Sequence, residues 1–247
     1  MNVPFPGPLD HLLALLLAVF FPIRSRTFGY RRLREAAPDR VPAMRNHLYR
    51  QALLLQWTFT LATAALWLAA RRPWEALGLV FQVSAWSLAL PAVMALVVAY
   101  IVATVPRTLR DHDALLKVRQ RLSGVERMLP RTDAEMKTFT LLSVTAGICE
   151  EFLYRGYLFW YLAHWLPQPY VLVAAALVFG IGHSYQGMRG MVTTGIAGLF
   201  LGGLYLLTGS LYLSMAIHTL TDLYSGTLGR AALQASEGEP YESTGIA

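Results

Sequence analysis

Charged residues are scarce in this 247-residue chain: Asp, Glu, Lys and Arg together make up only 15% of it, against about a quarter of an ordinary soluble domain. Cysteine is almost absent as well. Because Cys149 is the only one, no intramolecular disulfide can form. Apolar residues take their place, with a hydrophobic content of 55% and a mean hydropathy of +0.42. This composition argues against a soluble domain and favours a protein that uses the bilayer as its solvent.

Apolar stretches of about 20 residues, the length with which a helix crosses the hydrocarbon core, recur between polar or basic breaks. We therefore predict one all-α integral membrane domain over residues 1–247, a polytopic transmembrane helical bundle of about seven spans. The last four spans are joined by short connections and form a predicted core at 138–228, followed by a polar tail at 229–247. The predicted spans are 9–23, whose depth in the membrane the sequence leaves open, 51–70, 79–104, 138–163, 170–184, 190–207 and 211–228.

Basic residues are concentrated in two long breaks, 24–50 and 106–137, with eight in each. In a membrane protein such clusters mark cytoplasmic loops and contact anionic headgroups. We therefore predict that both linkers lie on the cytoplasmic side, with the lipid bilayer and not a nucleic acid as their partner. Arginine is used almost to the exclusion of lysine, which is typical of a GC-rich bacterial genome. The expected location is the inner membrane of a bacterial cell.

The ionisable residues inside the last four spans are the candidates for function, because each costs about 2.5–3.5 kcal/mol at a helix centre. The first of these spans contains Glu150, Glu151 and Arg155. Positions four apart share a helix face and adjacent positions do not, so Glu151 can pair with Arg155 while Glu150 points elsewhere. Glu150 would then be a free carboxylate suited to general-base catalysis. The alternative is an ion network of all three that only locks helices together.

Two further spans carry imidazoles. His183 ends one of them and follows Gly180 and Gly182, two small residues that permit close helix approach. Taken alone, such a histidine is more often an interfacial residue than a catalytic one. His218 and Asp222 share a helix face, so Asp222 could orient His218, both could bind the oxygen of a reacting amide, or the pair could serve only packing. We predict that these side chains meet Glu150 in the bundle core.

These motifs, in this order, resemble those of the CAAX prenyl proteases and bacteriocin-processing enzymes, a family of glutamic intramembrane peptidases. The resemblance covers roughly residues 138–228 and rests on the signatures E-E-x-x-x-R, F-x-x-x-H and H-x-x-x-N/D. It implies an endopeptidase that cuts a membrane protein or lipidated peptide within a CAAX-like, leader or C-terminal sorting segment. The residues that match the signatures are Glu150, Glu151, Arg155, Phe179, His183, His218 and Asp222.

The resemblance also implies roles for these residues. Glu150 and His183 would activate a water for attack on the scissile carbonyl, His218 and residue 222 would stabilise the oxyanion, and the acid–arginine pair would support them. This chain departs from the family at position 222, where prenyl-protease members usually have asparagine. Because an ionised Asp222 cannot donate a hydrogen bond to an oxyanion, it is expected instead to orient His218.

Two alternatives stay open at the level of sequence. Glu150, His183 and His218 also form a donor set that suits a catalytic zinc ion, although the zinc motif H-E-x-x-H is absent. We favour a mechanism without a cofactor and leave zinc open. A non-proteolytic membrane scaffold or a proton-coupled transporter would use the same buried acids and histidines to relay protons or bind a solute.

Overall fold

A computed structural model describes residues 5–24, 30–80 and 85–237 of the chain. These parts are predominantly helical and contain no β-strand, which confirms the predicted all-α class. Two π-helical segments, Leu16–Phe20 and Glu151–Leu158, each join two α-helices into one continuous rod. The α-helices are α1 Pro8–Leu15, α2 Phe21–Arg24, α3 Tyr30–Glu35, α4 Val41–Ala69, α5 Ala85–Arg110, α6 His112–Leu122, α7 Asp133–Glu150, α8 Phe159–Leu162, α9 Gln168–Gly182, α10 Gly187–Thr208 and α11 Tyr212–Glu237.

Within the described residues, three helical stretches are long and apolar enough to cross a bilayer: Pro38–Ala69, Pro91–Arg110 and Ser184–Thr208. Helix α9 is apolar as well but shorter. Most of each predicted span lies on a helix or a helical rod, although the span predicted at 79–104 is helical only from Ala85 and its residues 81–84 lie outside the described residues. The chain is an integral membrane protein. The number of crossings stays a prediction, as does the cytoplasmic side of the linkers.

Helix α4 begins at Val41, ten residues before the predicted span, and therefore takes up part of the first basic linker. A proline in the first turn favours this start, because its fixed φ suits a helix and its missing N–H is not needed there. Arg45 can be buried in this helix because Glu135, at the start of α7, accepts from its Nη1 at 3.0 Å. This ion pair joins the two basic linkers.

Helix α11 continues to Glu237, nine residues into the segment expected as a polar tail, and residues 238–247 lie outside the described parts. The extension has an apolar side, on which Ala232 and Leu233 are buried. Gly229 allows this end of the helix to approach Leu129, whose methyl carbons lie 2.9 Å from where a Cβ would stand. Burial of this apolar side therefore prolongs the helix.

The N-terminal rod is fixed to the core by a buried ion pair. Both carboxylate oxygens of Asp10 accept from Arg72 at 2.7 Å, and the Tyr157 hydroxyl donates to the same carboxylate at 3.2 Å. The Arg72 guanidinium lies 4.3 Å from the ring centroid of Trp160. Because Tyr157 belongs to the second π segment, residues 8–24 are held against the rod that follows α7.

Helices α9 and α10 touch through glycine. A methyl group on Gly180 would lie 2.8 Å from the carbonyl oxygen of Met191 and 3.1 Å from the Cα of Gly195. This confirms the prediction that Gly180 permits close helix approach before His183.

Gly147 allows a similar approach between α7 and α11. A Cβ at this position would meet the hydroxyl of Thr219 and would stand 2.8 Å from the carbonyl oxygen of Met215, a backbone atom that cannot move aside cheaply. The contact lies one turn before the acidic pair on α7 and beside His218 on α11. It therefore sets how far the carboxylates are from the imidazole.

We expect Gly147→Ala to push α7 and α11 apart and to destabilise the protein by about 1–3 kcal/mol, the usual cost of overpacking a close contact. Thermal unfolding in detergent measures this. The matched control is Gly203→Ala on α10, where a Cβ would meet nothing within 4 Å and stability should stay the same or rise slightly. An equal melting temperature for both variants would contradict the assignment of Gly147 as a spacing residue.

Candidate active site

The three motifs meet between α7, α9 and α11. Glu150 is the last residue of α7, and Glu151 opens the π segment that follows. His183 directly follows α9, and His218 lies on α11 with Asp222 one turn later. The structure brings these side chains together within one cluster, as the convergence argument predicted.

Glu151 is the centre of a buried charge network. Its Oε1 accepts from Arg155 Nη1 at 2.8 Å, which confirms the predicted ion pair, and from His218 Nδ1 at 2.7 Å. The Glu151 side chain is fully buried, and Arg155 also lies 4.2 Å from the ring centroid of Phe179. Removing Arg155 would leave the buried charge of Glu151 without its counter-charge, and the hydrogen bond to Glu151 fixes the His218 ring in place.

Glu150 has different partners on its two oxygens. Its Oε1 accepts from Gln56 Nε2 at 3.0 Å. Its Oε2 lies 3.9 Å from His183 Nε2 and 4.0 Å from His218 Nε2, and it has no hydrogen-bond partner among the described residues. These separations are too long for direct hydrogen bonds and shorter than the roughly 4.6 Å that a water spans with two tetrahedral bonds of about 2.8 Å, so a water can bridge them at a narrowed angle. The two adjacent glutamates are thus distinguished, as their helix positions predicted.

His183 is oriented by its own helix. Its Nδ1 donates to the carbonyl oxygen of Phe179 at 2.8 Å, and the two rings stand 4.7 Å apart between centroids. A carbonyl can only accept, so the proton is on Nδ1 and the opposite nitrogen, Nε2, faces Glu150 as an acceptor when the ring is neutral. The spacing of Phe179 and His183 therefore has a backbone reason, since a helical i, i+4 pair places this carbonyl under the imidazole.

Asp222 stands at the edge of the cluster. Its Oδ2 lies 3.9 Å from His218 Nε2, beyond hydrogen-bond distance, and its side chain is 38% exposed. His218 is oriented by the hydrogen bond that its opposite ring nitrogen, Nδ1, donates to Glu151. Glu151 therefore takes the orienting role that the sequence-based expectation gave to Asp222. The four-residue spacing of His218 and Asp222 on one helix is visible in the sequence, whereas the contact between His218 and Glu151 on another helix is not.

A cavity of about 200 Å³ adjoins Glu150 and His183. Its walls include residues far away in sequence, among them Leu17 and Phe21 of the N-terminal rod and Leu55 of α4. Most of the lining surface is apolar, and the polar side chains in it include Gln56, Glu150 and His183. This is the usual composition of a site for a largely apolar ligand.

Sequence reasoning missed Gln56. It lies on α4 inside the predicted span 51–70, donates to Glu150 and lines the cavity. A signal was present, because an amide in an apolar membrane helix requires a hydrogen-bond partner. The sequence did not say which side chain the partner was.

The donor set does not fit a zinc ion as it is arranged. Two donors at about 2.0–2.1 Å from a tetrahedral zinc ion stand roughly 3.4 Å apart, whereas the Glu150 oxygen is 3.9 and 4.0 Å from the two imidazole nitrogens. Within the described ranges, no group of three or more His, Cys, Asp and Glu side chains is arranged to hold a metal ion. No chemical step is therefore assigned to a metal.

Residues 133–224 match the family model described as Rce1-like, type II CAAX prenyl endopeptidase Rce1-like. The matched segment runs from the start of α7 into α11 and contains all seven residues that match the three signatures. It confirms the resemblance read from the three motifs and supports, in general terms, a CAAX-type intramembrane endopeptidase, a hydrolase that acts on a membrane-associated substrate. Nothing among curated proteins or solved structures matches the chain significantly.

Proposed function

We propose that this chain is a glutamic intramembrane endopeptidase, which hydrolyses a peptide bond in a membrane-associated protein or lipidated peptide with a water held between Glu150 and His183. The observation that supports it most is the unpartnered Oε2 of Glu150, which faces the Nε2 atoms of His183 and His218 at bridging distance. The proposed place of action is the inner membrane of a bacterial cell.

In the first step, Glu150 takes one proton from the water as the water oxygen bonds to the scissile carbonyl carbon. His183 Nε2 accepts a hydrogen bond from the second hydrogen of the water, which stays on the water oxygen, and this directs a lone pair of the water at the carbonyl carbon. The hydrogen bond from His183 Nδ1 to the Phe179 carbonyl oxygen leaves Nε2 as the acceptor. General-base catalysis of this kind contributes about 10²–10⁴-fold to the rate.

In the same step the carbonyl oxygen becomes an oxyanion. His218 Nε2 donates to it when the ring carries its second proton, while Nδ1 donates to Glu151. Arg155 holds the Glu151 carboxylate and thereby the ring, so the donor needs no reorganisation as charge develops.

In the second step, the proton held by Glu150 passes to the amide nitrogen as the carbon–nitrogen bond breaks. The products are a new carboxyl terminus and a free amine, and Glu150 returns to the carboxylate form. No group other than water and the substrate is consumed.

The substrate is proposed to carry an apolar segment or a lipid, because the cavity that adjoins Glu150 is lined mainly by apolar side chains. A CAAX-like terminus, a leader segment and a C-terminal sorting segment all satisfy this requirement. The cleaved sequence is left to experiment.

Glu150→Gln and His183→Ala should each lower peptide cleavage by about 10²-fold or more, since each removes a group that holds the attacking water. New protein termini that appear in the membrane proteome of cells with the wild type, and not with either variant, measure this and identify the substrate. Wild-type levels of cleavage in Glu150→Gln would remove the mechanism. If the wild type creates no new termini but its Glu150→Gln variant loses proton-coupled uptake, the chain would be a transporter instead.

Asp222→Asn should keep at least about a third of the wild-type kcat or exceed it. Glu151 already orients His218, and an amide at position 222 adds a donor beside the Nε2 that would face the oxyanion. Kinetics on purified protein in detergent, with Asp222→Ala measured in parallel, test this. A loss in Asp222→Asn as deep as in Asp222→Ala would show that the carboxylate itself is needed.

Metal removal should leave cleavage unchanged, because no step uses a metal ion. Purified enzyme dialysed against a strong chelator should retain its kcat/KM within about twofold, and metal analysis gives the control for complete removal. Activity that disappears on dialysis and returns with zinc alone would establish the zinc-dependent alternative.

A further inference from the structure

We infer that Gln56 of α4 is a positioning residue for the water-activating carboxylate, an inference that rests on the proposed function. Gln56 Nε2 donates to Glu150 Oε1 at 3.0 Å, across 94 positions of sequence. Gln56 lies outside residues 133–224, so neither the motifs nor the family match point to it.

The geometry indicates positioning because the two oxygens of Glu150 are otherwise equivalent. A carboxylate rotates broadly about its last torsion, so an unanchored Glu150 could turn either oxygen away from the imidazoles. The bond from Gln56 holds Oε1 on the α4 side and thereby leaves Oε2 toward His183 and His218. Gln56 thus fixes the orientation of the carboxylate group, so that one of its oxygens stays directed at the two imidazoles.

The chemistry of the donor supports the same role. Glu151 accepts from a guanidinium, which compensates its charge, whereas Glu150 accepts from a neutral amide, which orients a carboxylate without supplying a counter-charge. A general base must remain able to take a proton. A neutral donor satisfies both demands, and a cation at position 56 would not.

Neighbouring contacts hold α4, which carries the amide, against α7. Trp57, the next residue on α4, donates from Nε1 to Thr145 Oγ1 of α7 at 3.3 Å, and the Arg45–Glu135 pair joins the same two helices at 3.0 Å. The other amide atom, Gln56 Oε1, is buried without a partner among the described residues, and the side chain lines the cavity. The Gln56 amide therefore lies between Glu150, the proposed general base, and the cavity in which a substrate would bind.

The experiment compares Gln56→Met, which removes the donor at similar length and volume, with Gln56→Glu, which keeps the shape and replaces the donor by a second acid. Thr58→Val is the matched control, since Thr58 is exposed on the same helix and its hydroxyl donates only to the backbone carbonyl of Leu54. The probe is a quenched-fluorophore farnesylated peptide with a CAAX terminus, or the substrate found from new termini if the wild type does not cut this peptide.

Both Gln56 variants should lower kcat by roughly 10- to 100-fold, the usual effect of removing a group that orients a reacting one, with KM within about twofold of the wild type. Thr58→Val should match the wild type in both constants. A role limited to filling space predicts an unchanged kcat in Gln56→Met, and a role in substrate binding predicts a raised KM with kcat unchanged. Either result overturns the inference.

Thermal unfolding in detergent separates positioning from stability. We expect each Gln56 variant to retain a cooperative unfolding transition. If one variant does not fold, the kcat of the other tests the inference. Loss of the folded state in both would assign Gln56 to stability and overturn the inference. If the wild type and the variants all fold and the wild type cleaves no substrate, the proposed function fails, and that result is distinct from a failure at Gln56.

Discussion

The interaction on which the site depends is the pair of hydrogen bonds that Glu151 accepts from Arg155 and His218. A carboxylate cannot be buried in a membrane bundle without partners, because the lost hydration costs more than packing returns. Both partners donate to one oxygen, at 2.8 and 2.7 Å, and they come from the same rod and from α11. Burial of the Glu151 carboxylate therefore requires α11 to approach it. The hydrogen bond that helps to stabilise the buried charge also places the His218 imidazole.

The neighbouring carboxylate then takes a different chemical role only because a helix turns about 100° for each residue. That turn carries Glu150 away from the guanidinium and toward α4, where Gln56 donates a neutral hydrogen bond. The helix changes from α to π geometry between the two glutamates. Single π turns inside α-helices are frequent at functional sites, where they change the direction of the side chains that follow.

Much of this arrangement was predictable from sequence wherever the reasoning concerned one helix. The Glu151–Arg155 pair follows from four-residue spacing, and the separate direction of Glu150 follows from adjacency. The contact between Glu151 and His218 was not predictable, because it joins helices whose relative rotation depends on packing at Gly147 and elsewhere. Helix lengths were underestimated for a similar reason, since Arg45 in α4 is tolerated only through a partner ninety residues away. Sequence patterns thus specify what lies on one helix, and tertiary contacts decide which helices meet.

This division also separates the chemistry of the molecule from its selectivity. All groups proposed to touch the reacting atoms lie in residues 133–224, the segment that matches the protease family. The cavity beside them is walled in part by Leu17, Phe21 and Leu55, which lie outside that segment. The N-terminal rod that carries two of these residues is held in place by the buried pair of Asp10 and Arg72. Substitutions at Leu17, Phe21 and Leu55 should therefore change which apolar segment the cavity accepts, while the reaction itself depends on the acids and imidazoles of the matched segment and on Gln56, which orients one of them.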